Sequence, residues 1–371
     1  MSTTVKPSRP TRPVRPVLAA LRDRAVRLAE LATTPLLPAD YLDLVHPLRS
    51  GTDLRGRVES VTRETADAAT LVIRPGADWA GHVPGQYVRV GVDVDGVRQW
   101  RTYSITSELA RADRCISITV KAVPGGVVST HLVHRTRPGT LVHLDQATGE
   151  FVLPAPLPAK TLFVTAGSGI TPVMGMLRNH LAEPSDVVVV HSSPTPDDVV
   201  FGAELRALAA SGAIRLVERH TRTDGHLDAA LLTELVPDLA ERSAWACGPL
   251  PLLDLLEEHW ATAGLGTLHV ERFRTGVVVT GEGEGGTVSF GRTGTAVEAD
   301  GATSILDAAE SAGVLMPSGC RMGICFGCVL PLREGAVRDL RNGELTVAAP
   351  GDGVLVQTCI SAAAGACDID H

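Results

Sequence analysis

Cys320, Cys325 and Cys328 stand four and then two residues apart, and Cys359 follows after thirty more. Soft thiolates at that spacing fit a four-thiolate 2Fe-2S centre, held in a loop that must wrap the metal closely. Gly319, Gly323 and Gly327 ease that wrap, because glycine accepts positive φ and sets no Cβ against the cluster. Backbone donors and nearby charge would then tune the potential. Four cysteines can also close a tetrahedron around zinc, although zinc sites usually use two short paired knuckles. Cys115 and Cys367 have no partner by spacing and read as ordinary core or surface thiols.

Two further groups of residues could hold phosphates. Arg101-Thr102-Tyr103-Ser104 follows Pro84-Gly85-Gln86-Tyr87 and precedes Gly125-Gly126-Val127-Val128-Ser129. Arg can neutralise a pyrophosphate, Tyr can cover a flavin ring, Ser can hydrogen-bond its reactive nitrogen, and the glycines open backbone N–H groups to phosphate. Taken alone, a strand with Arg, Tyr and Ser is simply a strand. Gly167-Ser168-Gly169-Ile170-Thr171-Pro172 comes straight after an apolar strand and opens a helix, whose N-terminus can face an anion. It lacks the third glycine of the usual dinucleotide fingerprint, so a tight strand-to-helix turn is the competing reading. Cys247-Gly248-Pro249 ends a later strand in the same way.

These residues need elements to position them. Residues 54–151 form short alternating runs separated by turn residues, the pattern of a small antiparallel barrel. Pro154, Pro156 and Pro158 make a stiff connector. Strands at 161–165, 187–191, 214–219 and 244–246 then alternate with helices near 172–181, 203–210, 227–239 and 251–263, which predicts an open parallel sheet. Ligands bind such sheets at the carboxyl ends of the strands, so the Gly167 and Cys247 turns should share a crevice. After a Gly/Glu linker at 281–286, a hairpin, a helix over 304–312 and the cysteine loop make a third unit. At the start, residues 1–16 are rich in Pro and Arg, and 17–32 form an amphipathic helix with Val17, Leu21, Ala25, Leu28 and Ala32 on one face. Such a helix can lie on a membrane, meet a partner or pack on the protein's own body.

At 371 residues, 44% hydrophobic and 20% charged, the chain has the composition of two to three ordinary globular domains rather than a disordered one. The longest weakly polar run, 161–177, is broken by glycine and proline and is too short to span a bilayer. The N-terminus lacks the apolar stretch of a signal peptide, so a cytoplasmic location without disulfides is expected. Residues 1–50 hold eight bases and four acids, whereas 287–371 hold ten acids and five arginines. That acidic surface suits a basic protein partner and excludes nucleic acid there.

The four motifs, in this order, resemble the ferredoxin-NADP reductase superfamily in the arrangement with a fused C-terminal plant-type ferredoxin domain, over about residues 52–371. The resemblance implies an antiparallel β-barrel flavin domain (52–157), an open parallel α/β nicotinamide-nucleotide domain (158–276), a linker (277–286) and a β-grasp ferredoxin domain (287–371), after a basic extension (1–51). It assigns Arg101 to the pyrophosphate, Tyr103 to the isoalloxazine and Ser104 to its reactive edge. Gly126, Val127, Val128 and Ser129 match the second phosphate turn. Gly167, Gly169, Thr171 and Pro172 match the nicotinamide-nucleotide loop, Cys247 and Gly248 match the pair beside the nicotinamide, and Glu271-Arg272-Phe273 resemble the segment that closes the module at the flavin. Ser104, Thr171 and Cys247 become the candidate catalytic residues, and Thr221 with Arg222, or Arg219 instead, the candidate holders of an NADPH 2′-phosphate.

The implied cofactors are FAD, a 2Fe-2S cluster held by Cys320, Cys325, Cys328 and Cys359, and NADPH, with NADH as the alternative. Some members of this arrangement use FMN in place of FAD. Nicotinamide releases two electrons together and the cluster carries one, so the flavin has to convert between them. The segment Pro38-Ala39-Asp40-Tyr41 and the Arg-rich start are similar to reductases that feed membrane-bound acyl desaturases. The expected acceptor is therefore a desaturase or monooxygenase, with peripheral membrane contact through residues 1–50. The competing functions are a diaphorase that reduces small molecules and a non-catalytic metal-binding carrier.

Overall fold

A computed structural model of the chain describes residues 45–51, 53–94, 96–181, 185–273, 285–319, 321, 323 and 326–371. The expected helix at 17–32 and most of the expected linker lie outside them. Two compact units are present, Met1–Thr52 with Gly76–Asp78, and Asp53–Pro75 with Trp79–His371. In the first, Ala77 N donates to Leu48 O at 2.9 Å. The second carries three sheets.

The first sheet holds β1 (Arg55–Arg63), β2 (Ala68–Pro75), β3 (Tyr87–Val94), β4 (Val97–Ser104), β5 (Ile116–Lys121) and β6 (Leu141–Leu144), antiparallel in the order β4-β3-β6-β1-β2-β5. Period-two burial builds it, with Leu71 and Ile73 wholly inside and Val88 and Val90 likewise. A bridge between Ile105 and Ile118 links the two outer strands, and Thr106 N donates to Ser117 O at 2.8 Å, closing a barrel. Helix α1 (Val127–His134) buries Val128, Leu132 and Val133 against it.

The second sheet is parallel, β7 (Lys160–Ala166), β8 (Asp186–Ser193), β9 (Arg215–His220), β10 (Ser243–Cys247) and β11 (Leu268–Glu271), in the order β11-β10-β7-β8-β9. Its runs are apolar on both faces because both are covered. Phe163, Val189 and Trp245 pack on one side with α2 (Ile170–His180) and α3 (Gly202–Ala210). Beyond α4 (Thr221–Asp224), α5 (Ala229–Leu235) and α6 (Leu250–Ala263) cover Leu162, Val164, Val188 and Ala246 on the other. The expected helix at 227–239 shortens to α5, with a separate 3-10 turn at Leu239–Glu241. The short edge strand β11 is an addition.

The third sheet has β12 (Gly286–Phe290), β13 (Thr295–Ala299), β14 (Val329–Asp339), β15 (Leu345–Ala348), β16 (Val354–Gln357) and β17 (Ser361–Ile369), in the order β13-β12-β17-β14-β15 with β16 on β14. It grips α7 (Ile305–Ser311), whose N-cap is Ser304, its side chain accepting from Asp307 N at 3.1 Å. Val288, Phe290, Ile305, Leu306, Val337 and Ile369 form the core of this β-grasp unit.

Candidate active site

Strand β4 brings Arg101, Tyr103 and Ser104 to the barrel surface, with Tyr103 opposite Val88 and Ser104 opposite Tyr87 in the ladder. Ser104 is buried, and its Oγ has no hydrogen-bond partner among the described residues. An unmet buried hydroxyl costs about 1–3 kcal/mol, so a ligand atom fits there. Arg101 gives Nη1 to Trp100 O at 2.8 Å and makes no ion pair among the described residues. Burial, followed by the like charge of Arg321, lowers its pKa. A sheltered guanidinium without an anion is a fitting phosphate site. Burial raises the Tyr103 phenol, keeping the ring neutral.

The sequence reads Gly126, Val127, Val128 and Ser129 as a turn; the structure makes Gly126 the N-cap of α1 and the others its first residues. The physical reason is the spacing of Val128 and Leu132, which seats a helix on the barrel. A Cβ on Gly126 would come within 2.5 Å of Ser129 Oγ and Val123 Cγ2. Gly126, Val127 and Ser129 line one cavity with Arg101 and Tyr103.

In the parallel sheet, β7 and β10 are neighbours, and the chain runs outward from them in opposite directions. Their carboxyl ends form the crevice. Gly167 and Gly169 make a 3-10 turn there, and α2 follows with Thr171 and Pro172 in its first turn. A Cβ on Gly169 would collide with the Cys247 carbonyl oxygen and stand 2.9 Å from Gly248 N. The two turns thus meet at the switch point, as expected. Further along α2, Arg178 Nη1 donates to Thr106 O at 2.6 Å and Asn179 Nδ2 to Ser107 O at 3.1 Å, tying the nucleotide loop's helix to the segment after Ser104.

Cys247 is buried in register with Glu271 across β10 and β11. Burial, and then Glu271, raise its thiol pKa, so the sulfur is neutral. Burial also raises the Glu271 carboxyl to about 8. Its Oε2 is enclosed without a hydrogen-bond partner among the described residues, although the residue as a whole is partly exposed. Glu271, Ser104 and Phe273 line a second cavity of about 790 Å3. Sequence reasoning carried Glu271 only as part of a closing segment. Its pairing with Cys247 depends on strand register that no local motif announces.

At the end of β9, Thr221 and Arg222 begin α4. Arg222 N donates to Pro194 O at 3.2 Å, while Arg222's side chain is exposed. Arg219 Nη2 donates to Asp224 O at 2.6 Å, and its Nε is buried without a partner. Neither makes an ion pair among the described residues, so both cations are open to an anionic group at this edge.

The thiols of Cys328 and Cys359 lie 3.2 Å apart, and Cys320 and Cys325 fall outside the described residues. Among the described residues, no group of three or more metal-binding side chains occurs. Thr358 clamps the pair: its N and Oγ1 both donate to Cys328 O, at 3.2 and 3.0 Å. Gln357 Nε2 holds Gly323 O at 3.0 Å, and Gly323 has φ +71°. Arg321 binds Asp307 Oδ1 at 2.8 Å and also Glu310 on α7. The cavity that holds Arg101 and Tyr103, about 1010 Å3 in volume, is also lined by Arg321 and Cys359. Phe273 and Thr102 line both cavities. Arg101 and Tyr103 therefore share one cavity with Cys359, and Ser104 shares the other with Glu271.

Comparisons with known proteins agree with this layout. Residues 56–153 match the oxidoreductase FAD-binding domain, 163–258 the oxidoreductase NAD-binding domain, and 289–364 the 2Fe-2S iron-sulfur cluster binding domain. The last match decides for iron and sulfide over zinc. An NADPH oxidoreductase of Mycobacterium tuberculosis is 51% identical over 358 residues, 95% of this chain and 92% of that one. The ferredoxin reductase component of a 3-ketosteroid-9-alpha-monooxygenase from Mycolicibacterium smegmatis is 32% identical over 308 residues, 76% and 86% of the two chains. The phthalate dioxygenase reductase structure has the same fold, with a TM-score of 0.61 at 24% identity over 85% of this chain and 97% of that one. Three domain matches in this order, and a 51% identical oxidoreductase over nearly the whole length, place the chain in the ferredoxin-NADP reductase superfamily, among its members with a fused C-terminal 2Fe-2S domain.

Proposed function

We propose that this oxidoreductase takes hydride from NADPH and delivers single electrons through its own cluster to an oxygen-activating protein, an acyl desaturase or a monooxygenase. The observation that carries this reading is the cavity shared by Arg101, Tyr103 and Cys359. FAD, when bound, supplies the conversion from two-electron to one-electron chemistry. In this reading Arg101 and the N-terminus of α1 at Gly126 hold phosphate, Tyr103 covers the ring and Ser104 meets its reactive edge. Gly167, Gly169, Thr171 and Pro172 seat the dinucleotide, while Cys247, Gly248 and Phe273 bound the nicotinamide. Cys320, Cys325, Cys328 and Cys359 hold the cluster.

Arg219 and Arg222 favour NADPH, since each is a cation without an ion pair among the described residues at the strand end where a 2′-phosphate would lie. The name of the M. tuberculosis relative supports the same choice. An oxygenase partner is supported by the monooxygenase component among the relatives. The basic segment 1–50 is proposed to meet an anionic membrane surface; among the described residues no helix is long and apolar enough to cross one. Adding the protein to membranes that contain a desaturase but lack its reductase tests the reading. NADPH- and oxygen-dependent desaturation should appear with the wild-type chain and be lost with Cys359→Ser. Equal activity of both would contradict delivery through the cluster.

A further inference from the structure

Helix α2 begins at the nucleotide turn and ends against the barrel. Thr171, Gly175, Arg178 and Asn179 stand at i, i+4, i+7 and i+8 along it, which places them on one face. At the middle of that face a Cβ on Gly175 would collide with the Ile105 carbonyl oxygen, so helix and barrel meet backbone to backbone one residue after Ser104. At the far end Arg178 Nη1 donates to Thr106 O at 2.6 Å, Asn179 Nδ2 to Ser107 O at 3.1 Å, and Leu109 N to Asn179 Oδ1 at 2.8 Å. The receiving segment is itself fixed, because Thr106 is buried with its Oγ1 2.8 Å from Ser117 Oγ on β5. Arg178 is held more firmly than one carbonyl requires. Its Nε and Nη2 donate to Glu204 of α3 at 2.8 and 2.5 Å, and its guanidinium lies 4.8 Å from the centre of the Phe201 ring. Phe201 is the N-cap of α3 and holds φ +60°, a conformation that disfavours a bulky residue. A bidentate carboxylate and an aromatic face keep the guanidinium fork in one orientation, aimed at Thr106.

We propose that Arg178 is a positioning residue for hydride transfer: it fixes the pitch of α2 against the strand end that carries Ser104, and so sets Thr171 and the nicotinamide in register with the flavin. This rests on the reading that Ser104 and Thr171 border the reacting rings. The Gly175 contact is the pivot. Thr171 and Asn179 lie four residues to either side of it, about 6 Å each at 1.5 Å per residue. A tilt that shifts the clamped end therefore shifts Thr171 by a similar amount, and about 1 Å of misplacement can cost roughly 100-fold in rate. In the step itself the nicotinamide C4–H bond breaks, the hydride carries both electrons to the reactive nitrogen of the flavin and forms an N–H bond there, and NADP+ remains. Arg178 lines neither cavity and exchanges no proton.

The holoenzyme is compared with Arg178→Ala, Arg178→Lys and Glu204→Gln by anaerobic stopped-flow mixing with NADPH. The limiting rate of flavin bleaching, the NADPH dissociation constant and the long-wavelength charge-transfer absorbance of nicotinamide stacked on flavin are read together, with FAD content in parallel. Arg178→Ala should lower the limiting rate by roughly tenfold or more and lose most of the charge-transfer band, while FAD content and the NADPH dissociation constant stay within about twofold of wild type. Arg178→Lys, which keeps a donor toward Thr106, should recover part of the rate. Glu204→Gln, which keeps the guanidinium but releases its carboxylate, should lower the rate about threefold. A rate and band within about twofold of wild type in Arg178→Ala would overturn the proposal. So would a loss confined to the dissociation constant or to FAD content, which would make Arg178 a support of the fold. Should Arg178→Ala fail to fold, Glu204→Gln decides, and an unchanged rate there overturns the proposal. Wild-type flavin that bleaches with neither NADPH nor NADH would instead remove the underlying reading.

Discussion

Gly169 lies directly against the carbonyl of Cys247, at a separation that leaves no room for a Cβ. This contact joins the turn after β7 to the turn after β10, and so sets the width of the crevice proposed to receive the nicotinamide dinucleotide. Overpacking a tight contact costs about 1–3 kcal/mol. Gly169→Ala should therefore raise KM for NADPH by roughly 10- to 100-fold, since 1.4 kcal/mol is about tenfold, while bound flavin is unchanged. Steady-state kinetics with parallel flavin absorbance would check this, and an unchanged KM would mean that the crevice is set elsewhere.

Arg101 has no carboxylate partner among the described residues and faces a cavity rich in cations. A charge-assisted hydrogen bond contributes about 1.5–3 kcal/mol. Arg101→Ala should weaken FAD binding by about 10- to 100-fold, read from recovery of flavin fluorescence on dilution. Retention of FAD at wild-type affinity would remove Arg101 from the phosphate site.

Arg222 and Arg219 are expected to distinguish the two nicotinamide coenzymes. Arg222→Ala should raise KM for NADPH about tenfold and leave NADH almost unaffected, with Arg219→Ala acting in the same direction. Parallel losses for both coenzymes would show that these residues support the fold of the strand end and do not recognise a 2′-phosphate.

Glu271 brings a pH dependence. Its carboxyl titrates near 8 in the folded chain against an ordinary value of 4.5. The unfolded chain ionises first, so the contribution of the neutral Glu271 carboxyl to stability is fully present below about pH 4.5, shrinks as pH rises and is gone above about 8. Urea midpoints should decline over that window, and less so in Glu271→Gln. If its proton also assists at the nicotinamide, the flavin reduction rate should fall above about pH 8 in the wild type and lose that limb in the variant. Identical pH profiles would confine Glu271 to a structural part.

The barrel, the parallel sheet and the third unit were legible because their patterns differ: alternation in β3, continuous apolar runs in β7 and β8, and cysteine spacing at the end. Arg101, Tyr103 and Ser104 stand out in the sequence because their chemistry is ordered within four residues, and the structure sets Arg101 and Tyr103 on one cavity. Helix α1 was hidden by the preceding Pro124-Gly125-Gly126, which reads as a turn until Val128 and Leu132 find the barrel core. Strand β11 is only four residues long at a sheet edge, too short for a pattern of its own. Its carboxylate Glu271 acquires significance through Cys247, a neighbour 24 positions away in sequence, and through the enclosure that raises its pKa. The common cavity of Tyr103 and Cys359 could not be read from spacing at all, since Tyr103 lies on β4 and Cys359 in the turn between β16 and β17.

That cavity is the route on which the whole account depends. Anaerobic mixing of the holoenzyme with NADPH, followed by absorbance and by freeze-quench EPR, observes it directly. Flavin bleaching should come first, and the rhombic signal of the reduced cluster should rise afterwards within a turnover; in Cys359→Ser the bleaching should persist without the signal. Flavin that bleaches in the wild type while the cluster stays oxidised over many turnovers would contradict the relay.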